Sequence, residues 1–163
     1  MARRCPVLAI YANTSNSRGG GPLLACVNEE QLQKYLVPVA KGEKHICFAL
    51  TEPGAGSDAG SMTTRAVEDG DYYVLNGRKC FISGAPIADY AVVFAKTDLT
   101  QTGAKGISIF LVDMQLPGAS SGKPEAKMGI HGYPTSDILL ENVRVHQSAL
   151  LGPLHTGYAV AIS

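Results

Sequence analysis

Short apolar runs separated by polar, glycine-rich and proline-rich stretches dominate the middle of the chain. Residues 98–105 and 115–123 are polar or turn-forming and are typical of connections. Apolar runs of this length, with turn chemistry between them, predict an antiparallel β-sandwich or β-barrel. The predicted strands are 46–51, 90–96, 106–113, 126–129 and 137–143.

Two dipeptides that favour tight hairpin turns lie between residues 62 and 83. Asp69-Gly70 separates the runs 63–68 and 71–75, and Asn76-Gly77 separates the second run from 78–83. Asp-Gly and Asn-Gly readily adopt the positive φ angles that two-residue hairpin turns need. The spacing predicts a three-stranded antiparallel meander over residues 62–83.

The stretch before the first strand has a helical pattern. Asn28 and Gln31 have the spacing of a capping box, so a helix is predicted to begin at Glu29. Pro38 predicts that this helix ends near Val37, and Gly42 closes the element. The apolar positions at helical spacing are Leu32, Tyr35, Leu36 and Val39.

Further helical stretches are predicted at both ends of the chain. One covers residues 3–11 and is separated from the helix at Glu29 by a glycine-rich break at 18–22. Another covers residues 156–163. The predicted fold class is therefore mainly β, of α+β type, with an antiparallel barrel-like or sandwich-like domain preceded by helical segments.

Composition and charge exclude several classes of function. The 163 residues include 14 basic and 14 acidic side chains, and this zero net charge argues against a nucleic-acid partner. No apolar run reaches the roughly 18 residues of a membrane span, so no membrane partner is expected. The four cysteines are widely spaced and form no C-x-x-C pair, and the histidines are scattered. We therefore predict no metal site.

The N-terminus is similar to a signal peptide only in outline. Its apolar run from Cys5 to Ala12 is short, and Asn13-Thr14-Ser15 is a poor cleavage site. We expect the protein in the cytoplasm, or in the mitochondrial matrix if its source is eukaryotic.

A glycine-rich loop at residues 52–60 follows the first predicted strand. Gly54 and Gly56 would let backbone amides approach an anion without a Cβ clash, and Ser57 adds a hydroxyl. The spacing is one residue off the dinucleotide fingerprint, and no G-K-[ST] motif is present. From the residues alone, an ordinary surface turn and a phosphate-binding loop are equally supported.

The sequence ALTEPGAGSD at residues 49–58 resembles the signature of the acyl-CoA dehydrogenase family. Further matches follow in the family's order and cover nearly the whole chain. They are NEEQ at 28–31, KYL at 34–36, YVLNGRK at 73–79, FIS at 81–83, KGIS at 105–108, KMG at 127–129, ENVRV at 141–145 and LG at 151–152. Collinear matches of this number are far more specific than any single motif.

The resemblance implies a domain layout and a chemistry. Residues 1–45 would end an N-terminal helical domain, 46–153 would form the middle β-domain, and 154–163 would begin a truncated helical bundle. In the family, FAD takes a hydride from the β-carbon of an acyl-CoA thioester while a carboxylate removes an α-proton. That base lies in the bundle, beyond residue 163, so no catalytic residue is assigned here. We expect the isolated chain to lack dehydrogenase activity.

The resemblance also implies the binding residues. Phe48, Leu50 and Thr51 match positions lining the flavin, and Gly56 and Ser57 match the pyrophosphate contact. Phe81 matches an aromatic on the flavin face, commonly Trp in relatives, and Ser83 matches a hydroxyl near the reactive edge. The predicted cofactor-binding set is Phe48, Leu50, Thr51, Gly56, Ser57, Phe81, Ile82 and Ser83.

Acyl-CoA contacts are expected from Ser57 and from the loop 131–136. Tyr133 falls at the family's CoA-contacting position, often a serine, and Ser136 is the alternative; a plain connecting loop is as well supported. The resemblance implies acyl-CoA as substrate, electron-transfer flavoprotein as electron acceptor and a homo-oligomer at full length.

Two other functions stay open. The chain is also compatible with a non-catalytic domain that binds flavin or CoA, or with a related acyl-CoA oxidase or flavin monooxygenase. The preferred acyl chain is left open too.

Overall fold

The computed structural model describes residues 4–13, 24 and 26–161. Helix α1 (Pro6–Asn13) begins at a proline, which suits the first turn because that position needs no N–H donor. The predicted break at 18–22 lies outside the described residues, as do the first residue of the predicted helix 3–11 and the last two of 156–163.

Eight strands occur in the described part of the chain. They are β1 (Ile46–Ala49), β2 (Arg65–Asp69), β3 (Tyr72–Ser83), β4 (Tyr90–Lys96), β5 (Ile107–Asp113), β6 (Ala119–Ser121), β7 (Thr135–His146) and β8 (Leu150–Leu151). They form one sheet with the order β6-β7-β3-β2-β4-β5-β8, and β1 pairs in parallel with β4. Single turns of 3-10 helix connect several of them, at Ala59–Ser61, Ala85–Ile87 and Gln147–Ala149.

The sheet curls so that its two halves face each other across a core. Tyr73 of β3 and Phe110 of β5 have ring centroids 5.0 Å apart, although β2 and β4 separate these strands in the sheet. Buried residues of β1, β2, β3, β4, β5 and β7 join the same cluster. The predicted mainly β, barrel-like class is confirmed, and the strands run from Ile46 to Leu151.

The hairpin of β4 and β5 is buried on both faces. One face, with Val93 and Phe110, lines the core between the two sheet halves. The other face, with Val92, Phe94 and Ile109, packs against the helical segments. Such strands read as continuous apolar runs rather than alternating ones, and both were predicted within one residue of their observed ends.

The helix before β1, here α2 (29–40), is built from Glu29–Gln31, a π-helical turn at Leu32–Leu36 and Val37–Ala40. The capping box is confirmed: Gln31 N donates to Asn28 Oδ1 at 2.8 Å, and Asn28 N donates to Gln31 Oε1 at 3.1 Å. The helix passes Pro38 and ends at Ala40, beyond the predicted end near Val37. The π-helical turn precedes Pro38, whose missing N–H would otherwise break the i→i−4 ladder.

The side chain of Gln31 also connects α2 to residues around the start of β8, which are distant in the sequence. Its Nε2 donates to the carbonyl oxygens of Ser148 and Leu150, each at 2.8 Å. Gln31 is only 4% exposed, so these bonds are shielded from water. A short helix α3 (Gly157–Ala161) follows β8, and its Gly157 lies close against β5.

The predicted three-stranded meander is wrong in its second turn. The hairpin at Asp69-Gly70 is present, but Asn76-Gly77 lies inside the single strand β3. Strand β7 pairs with β3 on both sides of the dipeptide, and the register shifts by one residue there. Asn76 Oδ1 accepts from the N–H of Asn142, which has a φ of 54°. The turn-forming residues therefore support a bulge between long strands.

The predicted strand at 126–129 is also wrong. The outer edge of β7 pairs instead with β6, which lies within the predicted connection 115–123. Residues 126–129 form a loop in which the Lys127 ammonium donates to the carbonyl of Ile130 at 3.2 Å and to that of Tyr133 at 2.5 Å. Met128 is fully exposed. A short apolar stretch predicts a strand only where a sheet edge is available to it.

Candidate functional site

The chain leaving β1 meets the last part of β3 at one place in the sheet. Cys80 N donates to the carbonyl oxygen of Thr51 at 2.9 Å, and Lys79 Nζ donates to that of Leu50 at 3.2 Å. The two groups of predicted flavin residues, 48–51 and 81–83, are therefore next to each other. This contact was not deducible from their separation of about thirty residues in the sequence.

A bulge in β3 presents Phe81 to the outside. The pairing of β3 with β7 advances three residues on β3, from Lys79 to Ile82, but two on β7. Phe81 occupies the extra position with a φ of 57°, a conformation that costs a non-glycine residue about 1 kcal/mol or more. Its side chain is 68% exposed, which is unusual for a large aromatic residue.

The neighbours of Phe81 point in different directions. Ile82 is only 3% exposed and belongs to the core between the two sheet halves. Ser83 is exposed and pairs with Thr135 at the end of β3. Phe48, Leu50 and Thr51 are half-buried, and the Phe48 ring packs 4.9 Å from that of Phe94. These predicted residues thus combine an exposed aromatic ring (Phe81), an exposed hydroxyl (Ser83) and the half-buried side chains of Phe48, Leu50 and Thr51.

The glycine-rich loop begins with a tight turn and leaves its backbone open. Glu52 and Ala55 exchange two backbone hydrogen bonds, each of 3.1 Å. A Cβ added at Gly54 or Gly56 would meet no atom within 4 Å, so packing within the described chain does not require either glycine. Ser57 is exposed. Gly60 differs, because a Cβ there would lie 2.9 Å from the nitrogen of Ala104.

A buried ion pair lies beneath this loop. Lys79 Nζ is 2.8 Å from Glu52 Oε1, and the two side chains are 0% and 2% exposed. Glu52 Oε2 also accepts from Thr63 N at 2.6 Å and from Thr63 Oγ1 at 2.8 Å. Its Oε1 accepts from Thr64 N at 3.0 Å. Each carboxylate oxygen therefore accepts two hydrogen bonds.

The surroundings of this pair shift both pKa values. Burial would raise the pKa of Glu52, but the positive charge of Lys79 and the hydrogen bonds from Lys79, Thr64 and Thr63 outweigh it and lower the pKa to about 2. Burial lowers the pKa of Lys79 to about 8, and the charge of Glu52 opposes that change. At neutral pH the pair is ionised, so Glu52 is a structural carboxylate rather than a free base.

The sequence interpretation placed Glu52 in the loop signature but missed Lys79 as its partner. A signal was present: Tyr73 and Leu75 are inward-facing positions of β3 at a spacing of two, and Lys79 continues that spacing. A lysine at an inward strand position predicts a buried partner of opposite charge.

Tyr133 lies beside the end of β3. Its ring is 5% exposed and packs edge-on against Tyr11 of α1, with centroids 4.5 Å apart. Its hydroxyl oxygen would lie 2.8 Å from a Cβ on Gly84, the residue after Ser83. Ser136 is fully buried, and its hydroxyl donates to the carbonyl oxygen of Asp137 at 3.0 Å. Both candidates therefore lie beside predicted flavin residues, because Ser136 pairs with Ile82 in the sheet.

Among the described residues, no group of three or more His, Cys, Asp or Glu side chains is arranged to hold a metal ion. No helix in that part of the chain is long and apolar enough to cross a membrane. The cysteines Cys5, Cys26, Cys47 and Cys80 are all free thiols.

Comparison with known proteins yields close relatives over nearly the whole chain. A 3-(aryl)acrylate reductase of Clostridium sporogenes is 56% identical over 99% of this chain and 43% of its own length. The CarC subunit of the caffeyl-CoA reductase-Etf complex of Acetobacterium woodii is 52% identical over 99% of this chain and 42% of its own.

The fold comparison agrees with the sequence comparison. The solved structure of butyryl-CoA dehydrogenase from Megasphaera elsdenii superposes with a TM-score of 0.91 and 37% identity, over 99% of this chain and 42% of that one. The chain thus spans about two-fifths of the length of these relatives. The sequence profile of the acyl-CoA dehydrogenase middle domain matches residues 47–143. The chain therefore belongs to the acyl-CoA dehydrogenase family and carries its middle domain.

Proposed function

We propose that this chain is the FAD- and acyl-CoA-contacting region of an oxidoreductase that acts on the Cα–Cβ bond of acyl-CoA thioesters. One observation carries the proposal. Residues 50–51 are bonded to residues 79–80, directly before 81–83, and the loop that follows them has open space at Gly54 and Gly56. An aromatic, two hydroxyl residues and unobstructed amides are together suited to a flavin with its pyrophosphate.

The conformation of Phe81 supports a large planar ligand. A left-handed backbone conformation and 68% exposure are both unfavourable for a phenylalanine in a strand, and they persist where function requires them. Stacking on the isoalloxazine ring would bury the exposed face of Phe81. Thr51 and Ser83 would supply hydroxyl groups to the polar edge of the ring, and Phe48 and Leu50 would pack beside it. Ile82 would contribute through its backbone.

The pyrophosphate of FAD is assigned to Gly56 and Ser57. A ligand could approach Gly54 and Gly56 closely because a Cβ at either position would meet nothing. The zero net charge of the chain fits recognition of anions by amides and hydroxyls rather than by a basic surface. We assign two residues to acyl-CoA. Ser57 is exposed, and Tyr133 is buried with its hydroxyl beside Gly84.

Bound FAD would supply the redox chemistry by accepting a hydride from, or donating one to, the substrate β-carbon. The residues of this chain would orient the ring and exclude water from one of its faces, which favours transfer at a fixed geometry. Glu52 would not serve as the base, because both of its oxygens are held by Lys79, Thr63 and Thr64.

The direction of the reaction in the relatives favours a second substrate class. Two relatives above 50% identity are described as a 3-(aryl)acrylate reductase and a caffeyl-CoA reductase subunit. An arylacrylyl thioester reduced at its conjugated double bond is therefore a candidate alongside saturated short-chain acyl-CoA. The description of CarC as part of an Etf complex supports an electron-transfer flavoprotein as redox partner. We also propose a homo-oligomeric full-length protein located in the cytoplasm, or in the mitochondrial matrix of a eukaryote.

Titration of the purified chain with FAD, followed by flavin fluorescence quenching, tests the proposal. We expect quenching by the wild type and roughly tenfold weaker binding for Phe81→Ala, because aromatic stacking is lost. Tyr72→Ala is the matched control, since Tyr72 is also an exposed aromatic of β3, at 40% exposure, but at the opposite end. Equal binding by the two variants would contradict the assignment of Phe81.

Substrate class is tested on the FAD-loaded chain. Cinnamoyl-CoA and butyryl-CoA are titrated while the visible flavin absorption is recorded. A larger spectral change at lower concentration with cinnamoyl-CoA would favour arylacrylyl thioesters, and the reverse order would favour short-chain acyl-CoA. Free coenzyme A is the control for binding that does not involve the acyl group.

A further inference from the structure

Lys79 is an unusual residue for the interior of a strand. Its side chain is completely buried. Its ammonium donates to Glu52 Oε1 at 2.8 Å and to the carbonyl oxygen of Leu50 at 3.2 Å, and it lies 3.9 Å from Met62 Sδ. One cation thus binds both a carboxylate and a backbone carbonyl of the segment that follows β1.

Glu52 extends this contact to the other end of the glycine-rich loop. Its two oxygens accept from the amides of Thr63 and Thr64 and from the Thr63 hydroxyl. The loop begins at Glu52 and ends at Thr63, and Thr63 is hydrogen-bonded to the Glu52 carboxylate, so one carboxylate connects both ends of the loop. The Lys79–Glu52 pair fixes both ends of the loop that contains Gly54, Gly56 and Ser57.

The pair is also close to the bulge of β3. Lys79 is two residues before Phe81, and the intervening Cys80 donates its N–H to Thr51. Apolar residues of equal volume commonly give a core the same or greater stability than a buried ion pair. They could not, however, hold the Leu50 carbonyl and the amides of Thr63 and Thr64, because those groups need charged or polar partners.

We propose that Lys79 and Glu52 are positioning residues for the flavin site. They hold the segment 50–51 and the glycine-rich loop at a fixed distance from the bulge at Phe81, so that both sides of the site meet the ring together. This inference rests on the proposed function for its consequence, but the positioning itself is a property of the chain alone.

The central test compares a double variant with a surface control. Glu52→Gln with Lys79→Met removes both charges while leaving one amide oxygen, which can replace one of the two carboxylate oxygens bound by Thr63 and Thr64. Arg78→Met removes the neighbouring ion pair of the same strand, which joins Arg78 to Asp137 on the surface. Hydrogen exchange of the Cys80 amide reports the contact with Thr51, and amides of β4 and β5 report global stability.

In the double variant we expect the Cys80 amide to exchange about tenfold faster relative to the β4 and β5 amides, as for loss of a hydrogen bond to a charged group. Arg78→Met should leave this ratio unchanged. An unchanged ratio in the double variant would overturn the inference. If that variant does not fold, Thr63→Ala removes one bond to Glu52 while keeping both charges, and a smaller change in the same direction is expected.

A second measurement, on the spectra of bound flavin, separates a positioning role of Lys79 and Glu52 from a role in stability alone. At saturating FAD, every molecule carries the cofactor, so a purely structural role predicts the wild-type visible absorption and circular dichroism of bound flavin. We expect both spectra to shift in the double variant and to stay unchanged in Arg78→Met. Wild-type spectra in the double variant would overturn the role at the flavin. A wild-type chain that binds no FAD would contradict the proposed function, and the exchange ratio would then decide the positioning of the two segments.

Discussion

The β4–β5 hairpin and the strand β3 differ in how regularly their residues pair with neighbouring strands. The hairpin has seven consecutive residue pairs without a register shift, and both of its faces are buried. Strand β3 has two register shifts against β7, a left-handed Phe81 and a buried lysine. Regular pairing in one region provides the core, and irregular pairing in the other creates exposed groups that a ligand can use. Variants in the two regions should therefore affect different properties.

The largest expected effect is on the regular side. Phe110 is 0% exposed and packs against Tyr73, so Phe110→Ala should lower the free energy of unfolding by about 3–5 kcal/mol, through lost burial and the cavity left behind. Phe81→Ala is the control, with an expected change within about 0.5 kcal/mol because Phe81 is largely exposed. Urea denaturation measures both, and similar losses would erase the contrast.

A pH effect should arise from the irregular side. The folded pKa of Glu52, about 2, lies below its ordinary value of 4.5. The stabilisation is therefore fully present above about pH 4.5 and is lost as the pH falls towards 2, and it amounts to roughly 3 kcal/mol. Urea denaturation between pH 2 and 7 measures the change. Glu52→Gln should lack this part of the acid dependence; the same pH profile in both proteins would refute it.

A substitution at the Asn76-Gly77 bulge should cause a smaller loss of stability. A Cβ at Gly77 would lie 2.7 Å from the Cα of Thr64, and the φ of Gly77 is +157°. Gly77→Ala should therefore cost about 1–3 kcal/mol by overpacking. Gly54→Ala is the matched control, since its Cβ would meet nothing, and its thermal unfolding should match that of the wild type. Equal melting temperatures for the two variants would count against this close approach.

The smallest expected effect has the opposite sign. Phe81→Gly places at a φ of 57° a residue that adopts this conformation freely, so the unfolding free energy should stay the same or rise by up to about 1 kcal/mol. Binding of FAD should weaken in the same variant. A clear loss of stability would mean that Phe81 contributes to the core, against its exposure.

The regular region was the easier one to predict. Continuous apolar runs gave β4 and β5 within a residue, and the capping box at Asn28 gave the start of α2. Asn76-Gly77 failed as a turn because pairing with β7 outweighed the local preference. The strand expected at 126–129 failed because β6 occupies that edge.

The residues of the candidate site are predictions that rest on the family resemblance. Residues 48–51 and 81–83 came from matched motifs, but their contact depends on bonds made by Lys79 and Cys80 over a long sequence separation. Neither periodicity nor local propensity contains that information. The inward spacing of Lys79 from Tyr73 and Leu75 was the one local indication of a buried ion pair.

The bonds of Gln31 have a consequence for the order in which the domain folds. Gln31 is in the first turn of α2, yet the carbonyls it binds belong to Ser148 and Leu150, 117 and 119 residues later. Contacts across so long a separation carry a high loop-closure entropy and form late. During synthesis, α2 leaves the ribosome before β8, so the Gln31 Nε2 group cannot make these two bonds until Ser148 and Leu150 have emerged. These two bonds therefore form only after the last strand of the sheet has been synthesised.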